Sequence, residues 1–498
     1  MRKIYIVLAF ILIAGQSAWS QSRDFKLGQW TEIHNSIIKE LSRSYVDTLP
    51  IDKMMRKGVD SMLEELDPYT VYIPEEENED LQMMLSKTYG GIGAIIHKKK
   101  DENVIINEPY FGSPAHKNGL QCGDEIIAID GAPTKGLETK ESSDRMKGKP
   151  GTTVVFKVKK VRTGDTLDVP IVRERIHFPD IEYAGMLDDT TGYILQTGFT
   201  EGVAMQIKDK FNGLMAQGMK RLVLDLRGNG GGLMSEAINI ISLFVPKGSL
   251  AVSSKGKTED SRKEFHTQTE PIDTEMPIIV MIDGGSASAS EIVSGGLQDL
   301  NRATIMGKTS FGKGLVQSIR PLPYNGQMKV TTAKYYTPSG RCVQGIGVTP
   351  DIEIELPTYS RLVYSLVLSG VIDQYTIRYA RNHDSIAEAD KFHFSDEDFE
   401  DFISFAKTQE FDYRSSAKAT FDKMKEELEK DGLADVMSEE LKALEKALEM
   451  DKERFIRIKK DEIIPFIEEE IATRYWFQEA GIKIRIRYDN QLWEALKK

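Results

Sequence analysis

Apolar positions follow four successive patterns along the chain. Over residues 21–86 they recur at helical spacing, with Leu27, Trp30, Ile33, Ile37, Ile38 and Leu41 on one stripe. A second helical stretch, Met54 to Leu66, stops at Asp67-Pro68, and Glu75-Glu76-Glu77 leads into Leu81, Met84 and Leu85. Such short amphipathic helices cannot bury their own stripe, so they are expected to pack on a neighbouring domain or a second subunit. Over residues 87–176 the pattern shortens to strands between glycine turns, including Val104-Ile105-Ile106, Glu125 to Ile129, Thr153–Val158 and Leu167–Val172. Arg173–Pro179 reads as a hinge-like link to the next domain. Over residues 177–359 apolar strands alternate with helices. Leu222 to Leu226 and Pro277 to Asp283 are near-continuous apolar runs, which predicts a sheet covered on both faces. Pro323-Tyr324-Asn325-Gly326-Gln327 marks a hairpin. Over residues 360–498 the chain reads helical and charged and carries no chemical motif, as a cap or interaction domain would.

The first 20 residues break this scheme. Arg2 and Lys3 precede the apolar run Ile4 to Ala14, and Ala18 and Ser20 flank Trp19. This predicts an export signal over residues 1–20 cleaved before Gln21, with an uncleaved anchor as the alternative. The run is too short to span a bilayer comfortably, so no stable membrane insertion is expected. The expected location is the periplasm of a Gram-negative bacterium. A net charge of -12 and a pI near 5.4 argue against nucleic acid and anionic lipid as partners. Cys122 and Cys342 fall in different predicted domains and make no disulfide framework. The seven histidines form no HExxH and no Cys/His cluster, so no metal or cofactor is expected.

The candidate chemistry lies between Gly285 and Gln317. Gly285-Ser286-Ala287-Ser288-Ala289-Ser290-Glu291 follows a strand and opens a helix. A serine at such a turn faces the positive end of the helix, where a developing oxyanion is stabilised. Ser288 to Glu291 also reads as a helix-capping box, and Ser286 and Ser290 compete with Ser288 for the nucleophile's place. Phe311-Gly312-Lys313-Gly314 places a lysine 25 residues after Ser288, with no acidic residue within six positions on either side. Free lysine titrates near ~10.4, and a general base must be neutral, so burial would have to lower that value. A solvated loop lysine is the alternative. Gln317 follows Lys313 by four positions and shares its face in an extended strand, where it could orient the amine or simply face solvent. Asp225-Leu226-Arg227-Gly228-Asn229-Gly230-Gly231-Gly232 follows a strand. Its glycine N–H groups suit an oxyanion hole, or a tight structural turn.

Two resemblances emerge from these segments. The Gly90-Gly91-Ile92-Gly93 loop, with Gly123 to Gly131 behind it, resembles a PDZ domain in its permuted, protease-associated form. That would place capture of a peptide C-terminus at Gly91, Ile92 and Gly93, the peptide adding as a strand; a plain hairpin is the alternative. Leu66-Asp67-Pro68-Tyr69-Thr70, Asp225 to Asn229, Gly285 to Glu291, Thr309 to Gly314, Gln317 and Thr337-Pro338-Ser339-Gly340-Arg341 occur in the order of the C-terminal processing peptidases, which the chain strongly resembles over residues 26–357. The resemblance implies a multidomain α+β protein. Its core would be a crotonase/ClpP-like α/β serine protease, joined to a small β-rich PDZ domain and to helical N- and C-terminal regions. It implies Ser288 as nucleophile, Lys313 as base and Gln317 as its orienter. The oxyanion hole would come from the N–H groups of Ala289 and of Gly231 or Gly232. Gly230 departs from the family, which often has proline there. Expected partners are protein substrates with apolar C-termini, and a second copy or an adaptor protein. A PDZ adaptor on an inactive protease scaffold is the rival reading, and a hydrolase using His266 as base is a third.

Overall fold

The computed structural model describes Arg2 to Lys498 except residues 99–101, 356 and 450, and omits the side chains of residues 2–22, 84 and 85. Met1, the side chains that carry the expected export signal over residues 2–20, and those of Met84 and Leu85 therefore lie outside what is described. The chain divides into two compact units. One runs to Pro74 and adds Ile319–Thr331; the other holds Glu75–Ser318 and Thr332–Lys498.

In the first unit the helices Arg2–Ser44 and Ile51–Glu64 precede a strand, Val71–Ile73, that pairs antiparallel with Gln327 to Lys329. That strand replaces part of the helical reading of residues 21–86. The second helix stops where Asp67 turns the chain, its carboxylate accepting from the N–H groups of Tyr69 and Thr70, both at 2.8 Å. Leu27, Trp30 and Ile37 are exposed. The expected hairpin forms around Tyr324 and Asn325, both at positive φ, with the Leu322 N–H donating to Gly326 O at 2.8 Å.

The second unit is built on a six-stranded sheet in the order Ile181–Met186, Thr191–Gln196, Arg221–Asp225, Ile278–Ile282, Thr304–Gly307, Ile352–Glu353. The first pair is antiparallel and the rest are parallel. Side chains alternate between its faces. On one face Leu222, Leu224 and Val280 pack against Ile207, Phe211, Ile241, Ile292 and Leu297 of the helices Val203–Ala216, Met234–Ser242 and Ala289–Asp299. On the other, Tyr193, Val223, Ile279 and Met281 pack against Ile482, Ile486, Leu492 and Ala495. The C-terminal region thus supplies the second layer of the core sheet. Each fully buried aliphatic side chain contributes about 1.5–3 kcal/mol.

A second sheet orders Ala94–His97, Val104–Pro109, Glu125–Ile129, Thr153–Lys159 and Thr166–Val172 around Ile106, Ile126, Phe156 and Ile171. Two helices lie beside it: Pro114–Lys117, capped by Ser113, and Thr139–Met146, which the polar sequence does not announce. The hinge-like link is not a loop: Glu174–His177 is a strand paired with Thr88–Gly91, and Arg173 donates to the carbonyls of Arg145 and Met146.

The C-terminal region is helical from Arg361–Leu368 to Asn490–Ala495, with Ser395, Ser415, Asp451 and Asp489 as N-caps. Its longest helix, Lys460–Arg487, breaks at Phe477, whose φ of 63° and ψ of -175° fall where glycine alone is at ease. Among the described residues no helix is long and apolar enough to cross a membrane.

Candidate active site

Ser288 stands where the strand Ile278–Ile282 has turned and the helix Ala289–Asp299 begins. Its φ of 57° and ψ of -111° are strained for a residue with a Cβ, at a cost of about 1–3 kcal/mol. The surroundings hold it there. Its N–H donates to Glu291 Oε2 at 2.8 Å. Its carbonyl accepts from the N–H groups of Glu291 and Ile292 at 2.9 and 3.0 Å and from the Tyr335 hydroxyl at 3.1 Å. The three serines now separate. Ser286 and Ser290 are fully buried, and their hydroxyls donate to the carbonyls of Leu226 and Asn229 at 2.7 and 2.8 Å. Ser288 alone is partly exposed.

The Lys313 backbone is tied to the same turn through Glu291. That buried carboxylate accepts from four donors: the N–H groups of Ser288, Gly312 and Lys313 at 2.8, 2.7 and 2.8 Å, and the Ser310 hydroxyl at 2.6 Å. The capping-box glutamate therefore also ties the lysine segment to the serine segment. The glycines beside Lys313 are required by a close approach. A Cβ on Gly314 would lie 2.6 Å from Gln344 N, and one on Gly312 would lie 3.1 Å from the backbone nitrogens of Ile346 and Gly347. Lys313 is half-buried, and Gln317 is half-buried on the strand Leu315–Pro321 that comes next.

The glycine loop after Arg221–Asp225 packs directly on the serine turn. Asn229, fully buried, donates from Nδ2 to Gln196 O at 2.8 Å, and its carbonyl accepts from the Ala287 N–H at 3.0 Å. A Cβ on Gly231, where φ is 96°, would lie 2.8 Å from both Ser288 Cβ and Ala289 N. The Gly231 N–H is turned to Asn229 Oδ1 at 2.9 Å. Gly232 bridges to Phe199, and Ala289 is the buried first residue of the helix. Behind the loop, Asp225 accepts from Arg227 and, at 2.7 Å, from the Tyr193 hydroxyl; Arg227 also donates to Asp489 and Gln491. The paired carboxylates overcome burial and hold the Arg227 guanidinium well above its usual pKa.

Gly91, Ile92 and Gly93 join the strands Thr88–Gly91 and Ala94–His97. The Ile92 carbonyl accepts from the Ala115 N–H at 2.8 Å, and the Gly93 carbonyl from the Tyr110 N–H at 2.9 Å and the Ser113 hydroxyl at 2.8 Å. The Tyr89 ring lies against Gly91 and stacks on Phe178 with centroids 5.5 Å apart. Burial pushes its phenol up to about 12, with the Gly93 N–H acting against that rise. His266 ends the strand Lys263–His266, its Nε2 4.0 Å from Glu264 Oε2. Among the described residues no group of three or more His, Cys, Asp and Glu side chains is placed to hold a metal ion.

A strained serine thus follows a parallel strand of the core sheet, braced by its backbone to the lysine loop and packed against the glycine loop. Peptidase family S41 matches residues 190–354, a PDZ domain matches 81–159, and the C-terminal helical domain described for a probable PDZ-protease matches 362–498. The chain is 39% identical over 327 residues to a carboxy-terminal-processing protease of Bartonella bacilliformis, covering 64% of this chain and 74% of that one. It is 32% identical over 331 residues to the carboxy-terminal processing protease CtpA of Bacillus subtilis, covering 66% and 70%. Among solved structures, the photosystem II D1 C-terminal processing protease is 26% identical with a TM-score of 0.41, covering 66% of this chain and 86% of that one. The chain belongs to peptidase family S41, the carboxy-terminal processing serine proteases that carry a PDZ domain.

Sequence reasoning singled out Ser288, Lys313, Gln317 and the glycine loop, and the structure brings Ser288, the Lys313 backbone and the glycine loop together. It missed Glu291 as a junction, although the capping-box pattern already singled it out, and it missed Tyr335 and the Arg227–Asp489 tie, which have no local signature.

Proposed function

We propose that the protein is an exported endopeptidase in which Ser288 attacks the scissile carbonyl and neutral Lys313 takes its proton, returning it to the leaving amine. Gln317 orients the amine. The Ala289 N–H and one glycine N–H of the 231–232 pair receive the oxyanion; the engagement of the Gly231 N–H by Asn229 favours Gly232. The PDZ loop Gly91-Ile92-Gly93 takes the apolar C-terminal tail of a protein substrate. Periplasmic residence rests on the leader reading of residues 1–20, and the exposed stripe of Leu27, Trp30 and Ile37 is offered to a second copy or an adaptor. The observation that carries the reading is the strained Ser288, held with the Lys313 backbone on one buried carboxylate.

The test is cleavage of an unfolded protein bearing an apolar C-terminus, from about pH 6 to 10, a range that brackets a lowered lysine pKa. Parent activity should rise toward alkaline pH, and Ser288→Ala and Lys313→Ala should each abolish it. Cutting that survives either substitution removes the dyad. Mass spectrometry of the periplasmic fraction should find a chain beginning at Gln21; a chain retained in the cytoplasm with residues 1–20 intact removes the export reading.

A further inference from the structure

Tyr335 is 1% exposed on the strand Gln327–Tyr336, in register with Ser254 of the neighbouring strand. Its N–H donates to the Gly314 carbonyl at 3.0 Å. Its hydroxyl reaches two backbone carbonyls at once, Lys313 O at 2.8 Å and Ser288 O at 3.1 Å. These carbonyls belong to the two residues assigned to nucleophile and base, 25 positions apart in the chain. Glu291 joins the same two residues through their N–H groups. The serine and lysine segments are therefore clasped twice, by a carboxylate on the N–H side and by a phenol on the carbonyl side.

We propose that Tyr335 is a positioning residue for the Ser–Lys reaction: its single proton, shared between the carbonyls of Ser288 and Lys313, fixes the strained serine turn at the spacing from the lysine that proton transfer requires. This role rests on the dyad reading of the site. The clasp suits the task because rate depends steeply on that spacing. It also persists at any pH at which a lysine base works, since burial, with the Glu291 carboxylate nearby, pushes the phenol well above its usual range.

Tyr335→Phe deletes the shared proton and keeps the ring. With the full chain and fluorescein-labelled casein as substrate, kcat is expected to fall roughly 10–100-fold. KM should change less than about twofold, as for an interaction that acts on the reacting geometry and not on substrate binding. The loss should be the same at every pH from about 6 to 10, because the phenol stays protonated below its pKa. Thermal unfolding, followed in parallel, should move by no more than a few degrees. Parental kcat in Tyr335→Phe, with Ser288→Ala and Lys313→Ala inactive, overturns the role of Tyr335 and leaves the dyad standing. A loss that appears as raised KM or matches a collapse in thermal stability also overturns it, since the tyrosine is then only structural. Casein cleavage that survives Ser288→Ala overturns the dyad reading, and the role of Tyr335 with it.

Discussion

One added methyl group can test how closely the glycine loop is fitted to Ser288. At Gly231 a Cβ would press on Ala287 O at 2.6 Å and on Ser288 Cβ at 2.8 Å, with φ already in the left-handed region. Gly231→Ala should therefore displace the serine turn and lower kcat by roughly 100-fold, the scale of an ångström's misplacement. Gly230, one position earlier, has open space within 4 Å of where a Cβ would sit, and its φ is not positive. Gly230→Ala should keep full activity and raise stability by up to about 1 kcal/mol by restricting the unfolded chain. Casein assays and thermal melts on the two variants check both outcomes; equal damage at both positions would mean the loop is not fitted to the serine. Legibility divides in the same way. Ser288 and Lys313 stand out because their neighbours in sequence are the glycines and small residues that their turns demand. Tyr335 does not, because its hydroxyl's partners lie 47 and 22 positions away and the strand around it reads as any β-rich run.

Elements were legible where burial sets their pattern. The core strands Arg221–Asp225 and Ile278–Ile282 are apolar through their centres because both faces are covered. The strand Val71–Ile73 is too short to show a period, and the helix Thr139–Met146 is polar along most of its length. It forms on a cap instead, the Glu138 N–H donating to Glu141 Oε2 at 2.8 Å. Nor does any local signal join the last helices to the core sheet. That junction is Arg227, shared by Asp225, 1% exposed, and Asp489 at the start of Asn490–Ala495. Arg227→Ala leaves the buried Asp225 carboxylate without its cation, held only by the Tyr193 hydroxyl and the backbone N–H at position 227. It should cost on the order of 3–5 kcal/mol, as for breaking a buried pair. Asp489→Ala should cost less, because Arg227 keeps Asp225. Denaturant unfolding orders the two, and equal small losses would show that the C-terminal helices are held by the apolar contacts of Ile482, Ile486 and Leu492 alone.

Across the whole second unit, the C-terminal helices also grip the PDZ domain. Arg474 donates to Cys122 Sγ at 2.6 Å across 352 positions of sequence, and pairs with Asp373. Phe477, at the strained break, packs its ring 5.3 Å from Phe111 and 5.0 Å from His116. A cavity of about 480 Å³ lies between the two domains. Beside it Glu108 is 4% exposed, and its Oε1 is buried without a hydrogen-bond partner. Burial lifts this carboxyl from its ordinary 4.5 to about 7; Gln478 and Arg474 oppose the rise and Glu470 adds to it. The sign comes from linkage. A group whose folded pKa is raised holds its proton better in the folded state. Its stabilisation is complete below pH 4.5 and is lost as pH climbs through 7. The loss is about 3 kcal/mol at most, from the pKa difference. Glu470, also raised by burial, contributes with the same sign. Glu108→Gln keeps a neutral group of the same shape, so it should remove most of the fall in melting temperature between pH 5 and pH 8 and be the more stable protein at pH 8. Melts of parent and variant at the two pH values decide it. If both lose stability in parallel over that window, Glu108 is ionised in the folded protein and its burial is compensated by the arginine after all.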